Sequence, residues 1–467
     1  MSKKTHKISM KTPKYLSLLL ALAVTATAFT SCLKDDDSTE DYAGLCNVNN
    51  VIIGGMKRYI PFKKADGTDT VSVSTVQGSM YPLTIDQVNR RIFNCDSLPT
   101  YTHVDKVTFT NFTCQGTATI KSLTTGNDTV FATTDSTDLR QPREITIHGL
   151  DGSSTATYTM ELRVHQEEGD SMRWQQQTTA TQAQGLDGLR LMTRGDSLIA
   201  WGTEGENTVA LWTLRSNAGG WQKCIIGENA PQPASIVKQA DTFYALTASL
   251  VVKSADGITW TAVATRPAGI TALAAASTRS LYGIGTQGFL RSTDHGTTWT
   301  ADAASRPDSI PVADAVALAR PTLTNSDVEE IILVGTADGG RTVAWKRNEM
   351  RTAELEDVGD FRWTHISAEN GNHRQIPNAS LPSLAFYDGG AVLLGTKANG
   401  YAALYLSDDT GRSWDPTRIL LPQLPAQAKA VMTIDEDNYI WILCAADGQL
   451  WRGRLNRLGW EDVNACR

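Results

Sequence analysis

The sequence predicts an all-β protein whose larger, C-terminal part is a β-propeller. Short segments rich in Val, Ile, Leu and aromatic residues alternate with Gly- and Asp-rich turns, which is typical of β-strands. One short motif recurs, with copies ending at Trp260, Trp299 and Trp414, and the first two of these are 39 residues apart. Four short strands and their turns use about this length of chain. The repeat therefore predicts successive four-stranded blades.

Tryptophan also marks degenerate copies of the repeat, at intervals between 39 and 64 residues. Six intervals predict six blades, with seven as the alternative if Trp174 belongs to an incomplete blade. The sequence leaves open whether Trp174 or Trp460 lies on the strand that closes the ring. A second signature, Gly-Thr, ends the second strand of several units, as at Gly202-Thr203 and Gly335-Thr336. The tryptophans in register are Trp174, Trp221, Trp260, Trp299, Trp363, Trp414 and Trp460.

Each full copy of the motif combines Ser, Asp, Gly and Trp in one tight turn. The Asp carboxylate accepts hydrogen bonds from backbone amides that follow it, and Gly supplies a positive φ. The Trp is a large apolar plate that we expect to be buried between neighbouring blades. We therefore predict a structural role for these motif residues, which are Ser254, Asp256, Gly257, Trp260, Ser292, Asp294, Gly296, Trp299, Ser407, Asp409, Gly411 and Trp414.

The motif resembles the Asp-box, or BNR, repeat S-x-D-x-G-x-T-W of sialidases, xyloglucan-cleaving glycosidases, sortilin-type receptors and photosystem assembly factors. The resemblance covers residues 174–467, although Ser413 replaces the Thr in one copy and another copy lacks the residue before Gly257. It implies that the repeat lies on the rim of the propeller, away from the binding face. The Phe-Arg-Ile-Pro segment of sialidases, which holds a carboxylate-binding Arg, has no counterpart in this sequence.

The N-terminus resembles that of a bacterial lipoprotein. Residues 1–31 contain five lysines, no acidic residue and an apolar run too short for a spanning helix, which predicts a secretory signal. Phe29-Thr-Ser-Cys32 resembles a lipobox with Cys32 as the acylated residue, and an ordinary cleaved signal is the alternative. Asp35-Asp36-Asp37 resembles part of the surface-export signal of Bacteroidota lipoproteins. We therefore expect an outer-membrane lipoprotein with a flexible tether at residues 32–45, exposed at the cell surface or, alternatively, in the periplasm.

The charge balance disfavours two classes of partner. Without the five lysines of residues 1–31, the chain has 38 basic and 50 acidic residues, a net charge of −12. Nucleic acids and anionic lipid headgroups attract basic surfaces. We therefore expect no nucleic-acid partner, and a membrane connection only through the lipid anchor.

Residues 46–168 are predicted to be a separate β-sandwich domain. They contain no Trp and many Thr and Ser residues, and their short segments alternate apolar with polar residues. The clearest element is a hairpin from Glu144 to Val164 with its turn at Asp151-Gly152. The segment Asp151–Tyr158 resembles the end of the immunoglobulin-like modules of Bacteroidota lipoproteins. The resemblance implies an immunoglobulin-like domain that holds the propeller away from the membrane.

No motif in the sequence predicts a catalytic residue, a metal site or a cofactor. Cys-x-x-Cys, His-x-x-x-His, Gly-x-Ser-x-Gly and phosphate-binding Gly loops do not occur. Besides Cys32, three cysteines fall in each predicted domain, and their pairing stays open. A glycosidase would need two carboxylates 5 to 10 Å apart. The candidate loop acids are Asp187, Glu204, Asp338, Asp388 and Asp437.

Asp followed by Ser or Thr and a small or aliphatic residue occurs eight times, which resembles the acceptor motif for O-glycosylation in Bacteroides. Asp-Ser and Asp-Thr pairs also open turns, which is the alternative interpretation. The candidate acceptors are Ser38, Thr70, Ser97, Thr129, Ser136, Ser171, Ser197 and Ser309.

Taken with the predicted anchor, the propeller favours a non-enzymatic binding protein that presents its loops to a glycan or an envelope protein. A glycoside hydrolase of the Asp-box superfamily and an assembly or scaffolding factor are the alternatives. Sugar binding would use exposed aromatic rings. The tryptophans that blade packing does not use, and that are candidates for sugar binding, are Trp201, Trp441 and Trp451.

Overall fold

A computed structural model describes residues 44–352, 361–367 and 374–460 of the chain. These residues form two units, divided between Gln166 and Glu167. Both units consist of β-strands joined by turns and short 3-10 segments, which confirms the predicted all-β class. Within the described ranges, no helix has the length and apolar character that crossing a bilayer requires.

The first unit contains ten strands in three sheets. The strands are β1 (Val48–Ile53), β2 (Gly55–Lys63), β3 (Asp69–Gln77), β4 (Leu83–Asp86), β5 (Arg91–Asn94), β6 (Phe109–Cys114), β7 (Thr117–Lys121), β8 (Asp128–Val130), β9 (Arg143–His148) and β10 (Thr155–Glu161). One sheet has the order β4-β5-β10-β9-β7-β8, while β1 pairs with β6 and β2 with β3. The β5–β10 pair is parallel and the other pairs are antiparallel.

The hairpin of β9 and β10 supplies much of the core of this unit. Tyr158 lies opposite Ile145 in the antiparallel ladder, and both side chains are fully buried. Gly152 has a φ of +70°, the left-handed conformation that a tight turn requires and that glycine adopts without strain. The period-two alternation of β10 thus places one face in the core and the other in solvent. The immunoglobulin-like assignment of this unit stays a prediction.

The second unit begins with β11 (Met172–Gln176) and continues through six sheets. The first sheet contains β12 (Asp187–Arg194), β13 (Ser197–Glu204), β14 (Asn207–Leu214) and β15 (Asn217–Ile225). The second contains β16 (Val237–Gln239), β17 (Thr242–Leu246), β18 (Leu250–Ser254) and β19 (Thr261–Thr265). The third contains β20 (Ile270–Ala276), β21 (Leu281–Gly285), β22 (Gly288–Ser292) and β23 (Thr300–Asp302).

The remaining sheets follow in chain order. The fourth contains β24 (Pro311–Pro321), β25 (Val328–Ala337), β26 (Thr342–Met350) and β27 (Thr364–Ile366). The fifth contains β28 (Ser380–Tyr387), β29 (Gly390–Thr396) and β30 (Ala402–Ser407). The sixth contains β31 (Ala430–Ile434), β32 (Ile440–Cys444) and β33 (Leu450–Leu455), with β11 as its outermost strand.

The sixth sheet is completed by a strand from the start of the unit. Its order is β11-β33-β32-β31, and Trp174 lies opposite Gly453 in the antiparallel pair. A Cβ at position 453 would overlap the Trp174 ring, so glycine is needed for this contact. Trp460 instead follows a 3-10 segment. The strand that carries Trp174 therefore closes the last sheet.

The first strands of the six sheets contact one another in a closed cycle. β20, β24, β28, β31 and β12 follow in this order, and β16 contacts β20. Between β12 and β16 the contact is made through the short turn Pro233–Ser235, which directly precedes β16. A ring of radially arranged sheets with these strands around the axis is a β-propeller, as the sequence predicts.

Each boundary between neighbouring sheets is filled by an apolar cluster that contains one tryptophan of the repeat. The cluster between the second and third sheets, for example, joins Leu246 and Val251 to Leu273 and Leu281, with Trp299 packed against it. Such rings fill the wedge between sheets that diverge from the axis. In sheet order, starting at the boundary of the sixth and first sheets, the rings are Trp221, Trp260, Trp299, Trp363, Trp414 and Trp174.

Candidate functional site

The Asp-box between β22 and β23 is a closed hydrogen-bonded turn. The Ser292 hydroxyl donates to Asp294 Oδ1 (2.8 Å) and accepts the Gly296 N–H (2.8 Å). Asp294 Oδ1 also accepts the Thr298 N–H (2.9 Å), while the Thr298 hydroxyl donates to Asp294 Oδ2 (2.6 Å). These bonds, chiefly the one from the Thr298 side chain, favour the charged carboxylate and lower the pKa of Asp294 to about 2. Both oxygens of the carboxylate therefore accept hydrogen bonds from residues of the same turn.

The copy that follows β30, the last strand of the fifth sheet, has the same geometry. Asp409 Oδ1 accepts the Ser413 N–H (2.8 Å), and the Ser413 hydroxyl donates to Asp409 Oδ2 (2.6 Å). The Ser that replaces the usual Thr therefore keeps the contact. The Trp414 indole N–H donates to the Gly411 carbonyl (3.1 Å), and the ring is buried.

The copy between β18 and β19 forms a shorter turn. Asp256 Oδ1 accepts the Thr259 N–H (2.8 Å), as in the full copies. Full copies use two successive left-handed residues, such as His295 (φ +59°) and Gly296 (φ +91°), whereas here Gly257 alone is left-handed (φ +77°). This turn therefore contains one left-handed residue fewer than the full copies, which agrees with the one-residue deletion that the sequence shows at this position.

Strand direction assigns the Asp-boxes to one face of the propeller. In an antiparallel sheet, the turn between the first two strands and the turn between the last two lie at the same end. Each Asp-box directly follows the third strand of its sheet, so the Asp-boxes lie at that end, which we call the Asp-box face. The turns between second and third strands, together with the connections from sheet to sheet, form the opposite end, which we call the connection face.

The five candidate loop acids do not converge on one site. Asp388 and Asp437 lie in turns between first and second strands, on the Asp-box face, whereas Asp187, Glu204 and Asp338 lie on the connection face. Four of the five are ion-paired, and Asp338 Oδ1 accepts the following backbone N–H at 3.0 Å. The pairs are Asp187–Lys429 (2.7 Å), Glu204–Lys223 (2.7 Å), Asp437–Arg215 (3.2 Å) and Asp388–Arg457.

Two of the three tryptophans proposed for sugar stacking are buried, so that interpretation was wrong for them. Trp201 and Trp441 are fully buried. Their indole N–H groups donate to the Gly257 carbonyl (2.6 Å) and to Asp435 Oδ2 (2.8 Å). These rings face the clusters between sheets because the strands that carry them are buried on both faces. Trp451 is half-buried.

A cavity of about 110 Å³ lies on the axis of the propeller. Its walls come from β12, β24, β28 and β31, the first strands of four different sheets, and β12 and β24 lie on opposite sides of the ring. Seven of the ten residues that line it are apolar, and the polar ones are Arg190, Ser383 and Thr433. The apolar lining includes Leu191, Met192, Val316, Ala317, Leu384, Ala385 and Met432.

Arg190 is the charged residue of this cavity wall. Within the described part of the chain, no hydrogen bond or ion pair joins its guanidinium to another residue. Burial lowers the pKa of Arg190 to about 10, so the group remains protonated at neutral pH. The residue keeps some accessible surface and is one of those that line the cavity. Sequence reasoning missed Arg190, because the alternation in Leu189-Arg190-Leu191 does not reveal that its polar face lines the axis.

A second cavity, of about 240 Å³, lies between the fourth and fifth sheets. Its lining includes Arg341, His365 and Arg412. His365 Nε2 is buried and makes no hydrogen bond to a described residue, and burial lowers the pKa of His365. Residues 368–373, which follow this strand, lie outside the described residues.

The candidate modification sites differ in exposure. Ser309 is buried, with 8% of its surface exposed, and its carbonyl accepts the Trp345 indole N–H. Cys32 and Ser38 lie outside the described residues. Thr129, Ser136 and Ser171 are exposed, while Thr70, Ser97 and Ser197 are partly exposed.

The remaining titratable side chains form no metal site in the described ranges. No group of three or more His, Cys, Asp or Glu side chains is arranged there to hold an ion. The described cysteines are free thiols, namely Cys46, Cys95, Cys114, Cys224 and Cys444.

Three solved structures that resemble this chain have TM-scores between 0.33 and 0.37. AofleA from Arthrobotrys oligospora is 10% identical, with a TM-score of 0.37 over 61% of this chain and 86% of AofleA. A GH43_12 protein retrieved from a capybara gut metagenome is 10% identical, with a TM-score of 0.33 over 60% of this chain and 53% of its own. A mutant Trypanosoma rangeli sialidase displaying trans-sialidase activity is 11% identical, with a TM-score of 0.34 over 58% and 54% of the two chains.

Two family models match the sequence, and no curated protein does. The model described as the DUF6242 beta propeller domain matches residues 168–463, which include all six sheets. The model described as the DUF6242 N-terminal domain matches residues 56–162, within the first unit. The chain therefore belongs to the DUF6242 family, with the N-terminal domain of that family followed by its β-propeller domain.

Proposed function

We propose that this chain is a lipid-anchored binding protein of the cell envelope, which presents its propeller to a glycan or protein partner and catalyses no reaction. The connection face and the axial cavity are the surfaces through which it binds. The Asp-boxes, on the opposite face, serve the fold.

The observation that carries the non-catalytic part of the proposal is the engagement of the loop acids. A glycosidase needs a carboxylic acid whose pKa is raised, so that it can donate a proton to the leaving oxygen. Asp187 and Glu204, on the connection face, each lie 2.7 Å from a lysine ammonium. The described carboxylates whose pKa is shifted, such as Asp294 and Asp415, have it lowered. This environment suits ion pairing better than proton donation.

The anchoring part of the proposal rests on the sequence of the first 45 residues. The lipobox-like Phe29-Thr-Ser-Cys32 supplies an acylation site, and the acidic stretch after it supplies a tether and an export signal. In the chain, the first unit follows this tether and precedes the propeller. Surface display makes a partner outside the cell accessible to the connection face.

One experiment, on a soluble form that begins at Leu33, distinguishes a binding protein from a glycosidase. We expect this form to bind a subset of a glycan array, or a defined envelope protein in crosslinking, and to release no sugar from a panel of glycosides. Heat-unfolded protein is the control for non-specific binding. Turnover of any glycoside above that control would overturn the non-catalytic proposal.

Anchoring is tested in the native host by metabolic labelling with an alkyne fatty acid. Wild-type protein should incorporate the label and become accessible to protease added to whole cells. A Cys32→Ala variant should lose the label and leave the membrane fraction. Equal labelling of both proteins would contradict acylation at Cys32.

O-glycosylation at exposed Asp-Ser and Asp-Thr motifs is a separate part of the proposal. The intact mass of protein from the native host should exceed the mass of the acylated polypeptide, and Thr129→Ala or Ser136→Ala should each remove one glycan mass. A mass equal to that of the acylated polypeptide would contradict the modification.

A further inference from the structure

We propose that the axial cavity of the propeller binds a carboxylate group and that Arg190 is its counter-ion. The proposal deepens the binding function proposed above, on which it rests, by naming the chemical class of the ligand. It concerns the wall formed by β12, β24, β28 and β31.

The two arginines that are buried among the described residues of the propeller have carboxylate partners, whereas Arg190 is half-buried. Arg347 Nε lies 2.8 Å from an oxygen of Asp302, and Arg320 lies 3.1 Å from an oxygen of Glu330. A buried charge without a partner is costly, so proteins pair such groups. Arg190 departs from this pattern, since no described carboxylate contacts it. An anion supplied from outside the chain would complete the site.

The chemistry of the wall favours a carboxylate over a phosphate. Arg190 offers one positive charge, which a singly charged carboxylate neutralises, whereas a phosphate dianion would leave a negative charge in the cavity. The guanidinium presents parallel N–H donors that match the two carboxylate oxygens. Met192, Leu384 and Met432 line the same cavity and add apolar surface to it, which suits the carbon atoms that carry a carboxylate.

The size of the cavity restricts how much of a ligand it holds. Its volume of about 110 Å³ is several times the ~30 Å³ share of one water molecule. Acetate, or the carboxylate end of a larger molecule such as a uronic acid, is of this size. Thr433, which lines the same cavity, carries a hydroxyl that can donate a further hydrogen bond.

The test uses the chain from Leu33 onward with ¹⁵N-labelled arginine, and sodium acetate and sodium glucuronate as probes. Sodium chloride, sodium phosphate and glucose at matched ionic strength are the controls. We expect acetate and glucuronate to shift the Nε–Hε resonance that is lost in Arg190→Lys, and to raise the unfolding temperature of the propeller. Chloride, phosphate and glucose should leave both unchanged.

Three variants test whether the response to acetate comes from the axial cavity. Arg190→Met should unfold at a higher temperature than wild type without ligand, because it removes an unpaired, half-buried charge, and should lose the response to acetate. Arg190→Lys keeps the charge without the planar fork and should bind at least about tenfold more weakly, a loss of ~1.4 kcal/mol or more. Arg341→Gln, in the cavity between the fourth and fifth sheets, is the matched control and should bind as wild type does.

An equal acetate response in wild type and Arg190→Met would overturn the proposal, and so would a response of wild type to phosphate but not to acetate. An effect lost in Arg341→Gln and kept in Arg190→Met would assign the anion to the other cavity and also overturn it. None of these outcomes changes the glycan-array or hydrolysis results, so failure here is distinguishable from failure of the proposed binding function.

Discussion

The boundary between the second and third sheets differs in chemistry from the boundary between the third and fourth. At the former, an apolar cluster with Trp299 is closed by an Asp-box turn whose carboxylate, Asp294, is half-buried at the rim. His295 of that turn also contacts the second sheet, where its Nδ1 lies 2.9 Å from Gln239 Oε1. The bonds that use the Asp294 carboxylate all come from its own turn.

At the boundary of the third and fourth sheets, ion-paired side chains are buried across the contact. Glu349, with no exposed surface, accepts hydrogen bonds from Ser277, Ser280 and Arg291 of the third sheet. Arg347 of the fourth sheet pairs with an Asp of the third, and its guanidinium lies 5.0 Å from the centre of the Tyr282 ring. The first boundary depends on short-range turn bonds, and the second on partners far apart in sequence.

The difference teaches which contacts tolerate change. A carboxylate at the rim that loses its partners becomes hydrated at little cost, whereas a buried charge that loses them has no replacement. Substitutions should therefore cost most at the charged boundary and less at the Asp-boxes. All twelve tryptophans lie at or after Trp174, so tryptophan fluorescence reports the unfolding of the propeller alone.

The largest effect is expected for Glu349→Gln. The change removes the buried negative charge that Arg291 contacts, and the free energy of unfolding should fall by about 3 to 5 kcal/mol. Urea unfolding followed by fluorescence measures this. A loss below 1 kcal/mol would show that the charged boundary does not depend on the ion pair.

Gly257→Ala should have the second-largest effect. Gly257 has a φ of +77°, and a Cβ there would lie 2.7 Å from Trp201 Cζ2, so the variant is strained in backbone and packing. We expect a loss of about 2 to 4 kcal/mol in the same assay. Gly205→Ala is the matched control, because its φ of +61° is also positive but no atom lies within 4 Å of the added Cβ. It should cost about 1 to 2 kcal/mol, and equal costs would contradict the contact with Trp201.

Asp294→Asn should cost about 1 kcal/mol at neutral pH, since it removes the charge that the turn bonds favour. Because the folded-state pKa of Asp294 is lowered to about 2, its contribution to stability is present above pH 4 and is lost as the pH falls from about 4 to 2. The stability difference between wild type and variant should shrink over this range. A difference that stays constant down to pH 2 would contradict the assigned hydrogen bonds.

The smallest effect is expected for Glu204→Gln. The carboxylate is 54% exposed and pairs with Lys223 in solvent, so the loss in the urea assay should be below about 1 kcal/mol. A loss as large as that of Glu349→Gln would erase the distinction between exposed and buried pairs.

Local features of the fold could be predicted from the sequence, because their causes lie within a few residues. The Asp294 turn and the hairpin around Gly152 depend on side-chain and φ requirements of neighbouring residues, and the Trp spacing follows from strand length. The sequence did not reveal Arg190 or Glu349 as special, because their surroundings come from sheets distant in the chain. Trp201 was misjudged for the same reason.

The parallel pairing of β5 with β10 in the first unit could not be predicted from the sequence either. Strand periodicity gives the buried face of each strand but not the identity of its neighbour. The closing strand could not be chosen either, since Trp174 and Trp460 both fit the repeat, and only the register opposite Gly453 distinguishes them.

The most direct test of the structural role of the Asp-boxes is the unfolding free energy of a chain carrying Asp256→Asn, Asp294→Asn and Asp409→Asn together. The three turns lie in different sheets, so their effects should add to about 3 kcal/mol. We predict this loss in urea unfolding monitored by tryptophan fluorescence. A triple variant as stable as wild type would contradict the account, because the three carboxylates would then be free for another role.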